Sequence, residues 1–347
     1  MARKPDLFTP IVLEANLHPS FQVLRTSRLF APARGTMREV FDTFDDVDGN
    51  FVEQFQTSGF NARVWELYLH ACLSSSGFNV VRLAARPDFV AAKDDSEICV
   101  EAVTANPTQG EEAESPTASG EEIEHAVLHK QQNLLPIKLG SALYSKLQKR
   151  YWELDHVRGK PIVFAIENFS EAGSLIFSDS ALMTYLYGYR HEWEHDSQGN
   201  LTVKPRRVET HVHGEKSVPS GFFFEPEGEN ISAVMFSNSG TVTKFGRMGQ
   251  LGRHRCDSIR MVRVGTCYNP DPNAVAPMIF EYEIGDPDFP ETWGQGLSIC
   301  LNPKALNPLE AKELFPDAAV HEMDGGMIYS RVPDFHPFSS RTVTTPK

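Results

Sequence analysis

Residues 87–107 read PDFVAAKDDSEICVEAVTANP, and the placing of two acids in this stretch decides which fold and which chemistry to look for. Asp88 opens one apolar run and Glu101 sits inside the next, with the turn-forming DDSE between them. Folded as a hairpin, the two runs bring Asp88 and Glu101 to one sheet edge. Paired carboxylates there make a hard-oxygen site suited to Mg²⁺ or Mn²⁺.

Working outward, FNARVWELYLHACLSSSG (60–77) places Val64, Leu67, Tyr68, Ala71 and Cys72 at helical spacing. It carries a third acid, Glu66. FNVVRLA, DFVAAK and EICVEAVTAN predict three short strands. LLPIKLGSALYSKLQKRYWELDHV (134–157) predicts a helix with Leu139, Leu143, Leu147, Tyr151 and Leu154 on one face, and PIVFAIENF a buried strand after it. A further helix is expected over 179–195, and a hairpin or strand pair from NISAVMFSN and TVTKFGRM. Residues 1–54 show little periodicity and read as strand and loop material with one short helix. The expected organisation is therefore an N-terminal segment (1–54), an α/β core (55–265) and a mixed C-terminal extension packed on that core (266–347). A solvated, mobile acidic insertion is expected at 108–124, where residues 109–124 hold six Glu and no basic residue.

The totals bound the partners. The chain has 347 residues, 41% hydrophobic and 23% charged, with a formal net charge of −13. Its apolar runs are too short to cross a bilayer, and the N-terminus shows no signal-peptide core. Five cysteines with no CxxC pair argue for reduced thiols and a cytoplasmic setting. The negative balance sits poorly with a phosphate-binding surface. The stretch 244–263 offsets it, with Lys244, Arg247, Arg253, Arg255, Arg260 and Arg263 against one acid, Asp257.

The succession helix, three strands, helix, strand, carried by VWELYLH, PDFVA, ICVEAV and GSALYSKLQKRY ahead of PIVFAIENF, resembles the PD-(D/E)XK nuclease superfamily over residues 55–170. The resemblance implies a restriction-endonuclease-like core with a long mixed C-terminal extension. It implies Mg²⁺- or Mn²⁺-dependent cleavage of nucleic acid, DNA first, with Asp88 and Glu101 as metal ligands and Glu66 as an accessory acid. The chain departs from that pattern at Val103, where the superfamily usually carries a lysine that helps to position the attacking water. In some members the lysine has moved to the following helix. Here Lys146 lies three residues past Leu143 and seven past Leu139, bordering the sheet-facing stripe, and is the expected replacement. If no lysine reaches the acids, the alternative is a nuclease fold without the chemistry, serving as a nucleic-acid or protein binding module.

Two other features bear on function. Lys138, Arg247, Arg253 and Arg255 are candidate nucleic-acid contacts. RHEWEH (190–195) satisfies HExxH with His191, Glu192 and His195, which on a helix would suit a zinc peptidase. Its place at the end of a helical run weighs against that reading.

Overall fold

Short apolar intervals build the N-terminal part. Phe21 and Leu24 are buried on α1 (Pro19–Thr26), Ala33, Met37 and Phe41 on α2 (Ala31–Thr43), and Phe51 and Phe55 on α3 (Phe51–Gln56). These helices correct the expected strand and loop segment. α1 and α3, 8 and 6 residues long, are too brief to leave a long periodic signal. The computed structural model describes residues 4–82, 86–107, 127–170 and 174–347, so the acidic stretch 108–124 lies outside the described residues.

Helix α4 (Phe60–Ser75) is buried on almost every side. It lies between the N-terminal helices and the sheet, where the Trp65 indole N–H donates to the Ala165 carbonyl at 2.9 Å. Strands β1 (Asn79–Val81), β2 (Phe89–Lys93) and β3 (Ser96–Ala105) follow. The expected turn joins β2 to β3 as a tight hairpin pairing Lys93 with Ser96, with Asp94 at φ 52°. A π-helical turn (Lys130–Leu134) leads into α5 (Leu135–Leu147), and β4 (Ile162–Asn168) then enters fully buried.

Helix α6 (Ser180–Tyr187) stops earlier than its sequence pattern suggests. Gly188 takes φ 73°, a left-handed C-terminal cap. Beyond it the chain forms two exposed ribbons, β5 (Tyr189–His195) with β6 (Leu201–Arg207), and β7 (Thr210–His213) with β8 (Lys216–Pro219). Strand β9 (Ala233–Phe236) is followed by helix α7 (Val242–Leu251), so TVTKFGRM is helical and not the return strand of a hairpin. At Gly249 a Cβ would lie 2.5 Å from Pro32 O and Thr36 Oγ1, so glycine permits the close crossing of α7 over α2.

The rest comprises β10 (Ile259–Cys267), β11 (Met278–Glu283), β12 (Ser298–Leu301), α8 (Ala311–Leu314), β13 (Ala319–Asp324), β14 (Met327–Arg331) and β15 (Pro337–Pro346). Among the described residues, one eight-stranded mixed sheet runs β1-β2-β3-β4-β9-β12-β13-β14, and a smaller sheet runs β11-β10-β15. Residues 266–347 therefore do more than pack on a core, because β12, β13 and β14 complete the main sheet. The boundary expected at 265 cuts through β10. The fold is α/β, with one apolar layer under α1–α4 and α7 and another under α5 and α6. Among the described residues no helix is long and apolar enough to cross a membrane.

Candidate active site

Strand β3 divides its side chains between the two layers. Ile98 and Val100 join the layer under the N-terminal helices, while Cys99, Val103 and Ala105 join the layer under α5. Glu101 shares the second parity. Phe89 pairs with Val100, so continuing that antiparallel register by one residue puts Asp88 opposite Glu101 on the same face. The Asp88 carboxylate also accepts the Ala102 N–H through Oδ2 at 2.8 Å.

Helix α5 covers this face, burying Leu139, Leu143 and Leu147. Lys146, on the border of that stripe, places its ammonium 2.5 Å from Glu101 Oε1. The lysine side chain keeps 32% exposure and that of Glu101 only 5%. Val103, which points the same way as Glu101, is packed into the apolar layer. An amine arriving from above thus stands beside the carboxylate while position 103 serves packing.

Sequence reasoning missed three side chains here. Tyr151 donates its hydroxyl to the same Oε1 at 2.7 Å. Arg150, at φ 49°, reverses the chain after α5 and returns Tyr151 to the sheet. Arg63 donates to both oxygens of Glu66 at 2.7 Å, one turn back along α4. Arg82, with its side chain 3% exposed, lies 3.9 Å from Glu66 Oε2 and 3.7 Å from Asp88 Oδ1. A lone arginine in the apolar run VVRLA was the one available hint of an internal counter-ion.

Burial sets the electrostatics. It raises the Asp88 carboxyl to about 8, reinforced by the charges of Glu101 and Glu66. Glu66 is raised as well, first by burial, with Arg63 and Arg82 pulling against that. Burial and the adjacent Glu101 push the Tyr151 hydroxyl far up, so it remains a donor. Glu101 Oε2 is buried with no hydrogen-bond partner. An unpartnered carboxylate oxygen beside an under-compensated acid is a donor set that fits a hard divalent cation. Among the described residues, no cluster of three or more His, Cys, Asp or Glu side chains forms a metal-ligand set. Side-chain ligation by Asp88 and Glu101 would therefore stop at two carboxylates.

The chain matches no protein-family model, no curated protein and no solved structure. The remaining sequence candidates must be judged on geometry. Arg247 is corrected as a nucleic-acid contact: it is 2% exposed, and its guanidinium donates to Glu291 and Thr342. Lys244 and Arg263 converge on the same Glu291. The basic run is thus partly a buried ion cluster. Arg253 and Arg255 are exposed and pair with Glu39 and Asp257, and Lys138 is half-buried on α5.

The HEWEH motif is corrected too. It lies on β5, where alternation turns Glu192 away from His191 and His195. The two imidazoles meet the carbonyls of Gly326 and Asn273, and Glu192 pairs with Arg190 and Arg206. A zinc peptidase needs both histidines on one helical face, and the cap at Gly188 removes that helix.

Proposed function

We propose that the chain is a metal-dependent nuclease of the PD-(D/E)XK type on a restriction-endonuclease-like core, hydrolysing phosphodiester bonds in nucleic acid, DNA first. The observation that carries the reading is the Lys146 ammonium on Glu101, supplied by the helix after the acid-bearing hairpin. It gives the site the amine that Val103 does not. The element order α4, β1, β2, β3, α5, β4 supports the same reading.

Asp88 and Glu101 would hold Mg²⁺ or Mn²⁺. Such an ion, when bound, neutralises phosphate charge and acidifies water for attack on phosphorus. The protein's own groups have distinct tasks. Glu101 on β3 and Asp88 at the entry to β2, fixed by Tyr151 and by the Ala102 N–H, present oxygens from a rigid hairpin. Lys146, on a partly exposed side chain, carries positive charge to the mouth of the site. Released from Glu101, its ammonium donates to a phosphate oxygen or to the attacking water, stabilising charge that develops on the oxygens around phosphorus. The apolar layer beneath keeps bulk water from the carboxylates.

A second reading, a nuclease fold that binds without cleaving, is favoured by one observation. Glu66, Asp88 and Glu101 already have Arg63, Arg82 and Lys146 beside them, and burial favours the protonated form of Asp88, so little negative charge is left to draw in a metal. Cleavage of single- and double-stranded DNA and RNA with Mg²⁺ or Mn²⁺ separates the two. Metal-dependent cleavage abolished in Glu101→Ala and Lys146→Ala is the expected result. Folded wild type that binds nucleic acid and never cuts it favours the second reading, and cleavage that survives Glu101→Ala rejects the site.

A further inference from the structure

Resting on the nuclease reading, we infer that the Arg63 and Arg82 guanidinium groups fill the place a second cation would need. The site then takes one divalent ion, between Asp88 and Glu101, and Glu66 anchors guanidinium groups instead of ligating metal. Two-ion phosphodiesterases rely on carboxylate oxygens free on both sides of the scissile group. Here the acids are unequally free. Both Glu66 oxygens accept from Arg63 Nη1 at 2.7 Å, and Arg82 Nη1 stands 3.9 Å from Oε2. Glu101 directs one oxygen to Lys146 and Tyr151 and keeps Oε2 without a partner.

Arg82 is built in. Its Nε donates to the Asp88 carbonyl at 3.0 Å, its Nη1 to the Asp45 carbonyl at 3.3 Å, and its guanidinium lies over the Phe44 ring at 4.7 Å. A group held by two carbonyls and an aromatic face does not swing out to admit a metal ion. Lys146 differs, since its side chain is partly exposed and its ammonium rests on Glu101 alone of the three acids. The Arg63 guanidinium thus lies on the Glu66 side, Arg82 stands between Glu66 and Asp88, and the displaceable ammonium lies on the Glu101 side. A dication beside Glu66 would face two held positive groups, whereas one between Asp88 and Glu101 would face Arg82 alone and an amine that can be displaced for use in the reaction.

Mn²⁺ titration followed by the electron paramagnetic resonance of the free ion counts the sites on the full chain. The expected result is one Mn²⁺ per chain that disappears in Glu101→Gln. Glu66→Gln should keep that stoichiometry, with affinity lowered by no more than the roughly 10- to 100-fold typical of a group behind the ligands. Two Glu101-dependent Mn²⁺ ions, or loss of the single ion in Glu66→Gln, would overturn the inference and leave the nuclease reading standing. No Glu101-dependent Mn²⁺ in wild type would overturn both. Should Glu66→Gln fail to fold, the wild-type stoichiometry decides.

Discussion

The Lys146 ammonium lies 2.5 Å from Glu101 Oε1 across a sequence separation of 45 residues. A charge made in one strand is answered by the helix laid over it. The amine has some freedom and the acid almost none, so they should respond differently to substitution. Lys146→Met should retain the fold and lower metal-dependent cleavage by about 10²- to 10³-fold, the scale for one lost charge-stabilising donor. Lys146→Arg should recover little, because a planar fork does not replace a compact ammonium at this distance. Single-turnover cleavage checks this, and an active Lys146→Met enzyme would remove the lysine from the site.

Tyr151 shares that carboxylate oxygen, and its loss should be felt through Glu101. Tyr151→Phe is expected to weaken Mn²⁺ binding by roughly 10- to 100-fold while the melting temperature changes little. Parallel calorimetric titration and thermal melts separate this from a packing defect. Unchanged metal affinity would show that the hydroxyl does not position Glu101.

Outside the Asp88–Glu101 site, Glu291 is a stability determinant. Although burial works against its charge, Lys244, Arg247 and Arg263 hold its carboxyl well below the ordinary range. Glu291→Gln strands three buried cations and should cost about 3–5 kcal/mol. Urea denaturation measures this directly, and a loss near zero would mean the cluster relaxes to water.

Two buried imidazoles predict a pH dependence of folding. Burial lowers both His70 and His336 to about 4. In the unfolded chain they take up protons near 6.5, so between those values the folded state binds fewer protons. Their stabilising contribution is complete above about 6.5 and is lost as pH falls to about 4, with a ceiling on the order of 3 kcal/mol each. The gap in urea midpoint between wild type and a His70→Asn or His336→Asn variant should therefore narrow from pH 7 to pH 4. A gap constant across that window contradicts the prediction.

At Gly249 a side chain would meet both the Pro32 carbonyl and the Thr36 hydroxyl oxygen. Gly249→Ala should lower stability by about 1–3 kcal/mol through forced separation of α2 and α7, read as a drop in melting temperature.

The central elements were legible because their burial writes a plain pattern. Strands β2, β3 and β4 and helices α4 and α5 alternate or repeat with the period of the face they bury. Lys146 was legible for the same reason, since its spacing from Leu139 and Leu143 fixes its direction. What escaped lay where tertiary contacts overrule local pattern. TVTKFGRM carries β-branched residues, yet Lys244 and Arg247 gain a buried partner, Glu291, when it is helical. The HEWEH segment continues a helical rhythm that ends because Gly188 adopts a left-handed backbone. Tyr151 and Arg82 reach the acids through a reversal at Arg150 and a stacking contact on Phe44, neither of which has a sequence period.

Strand β9 bonds on one side to β4 and on the other to β12, so the neighbour that closes its outer edge is made only after some sixty intervening residues. A shortened version ending near 265 would present that edge, bare and apolar, to any other chain in solution. Attempts to isolate the acid-bearing half by itself should yield aggregate, and a minimal folded piece must reach at least through β14.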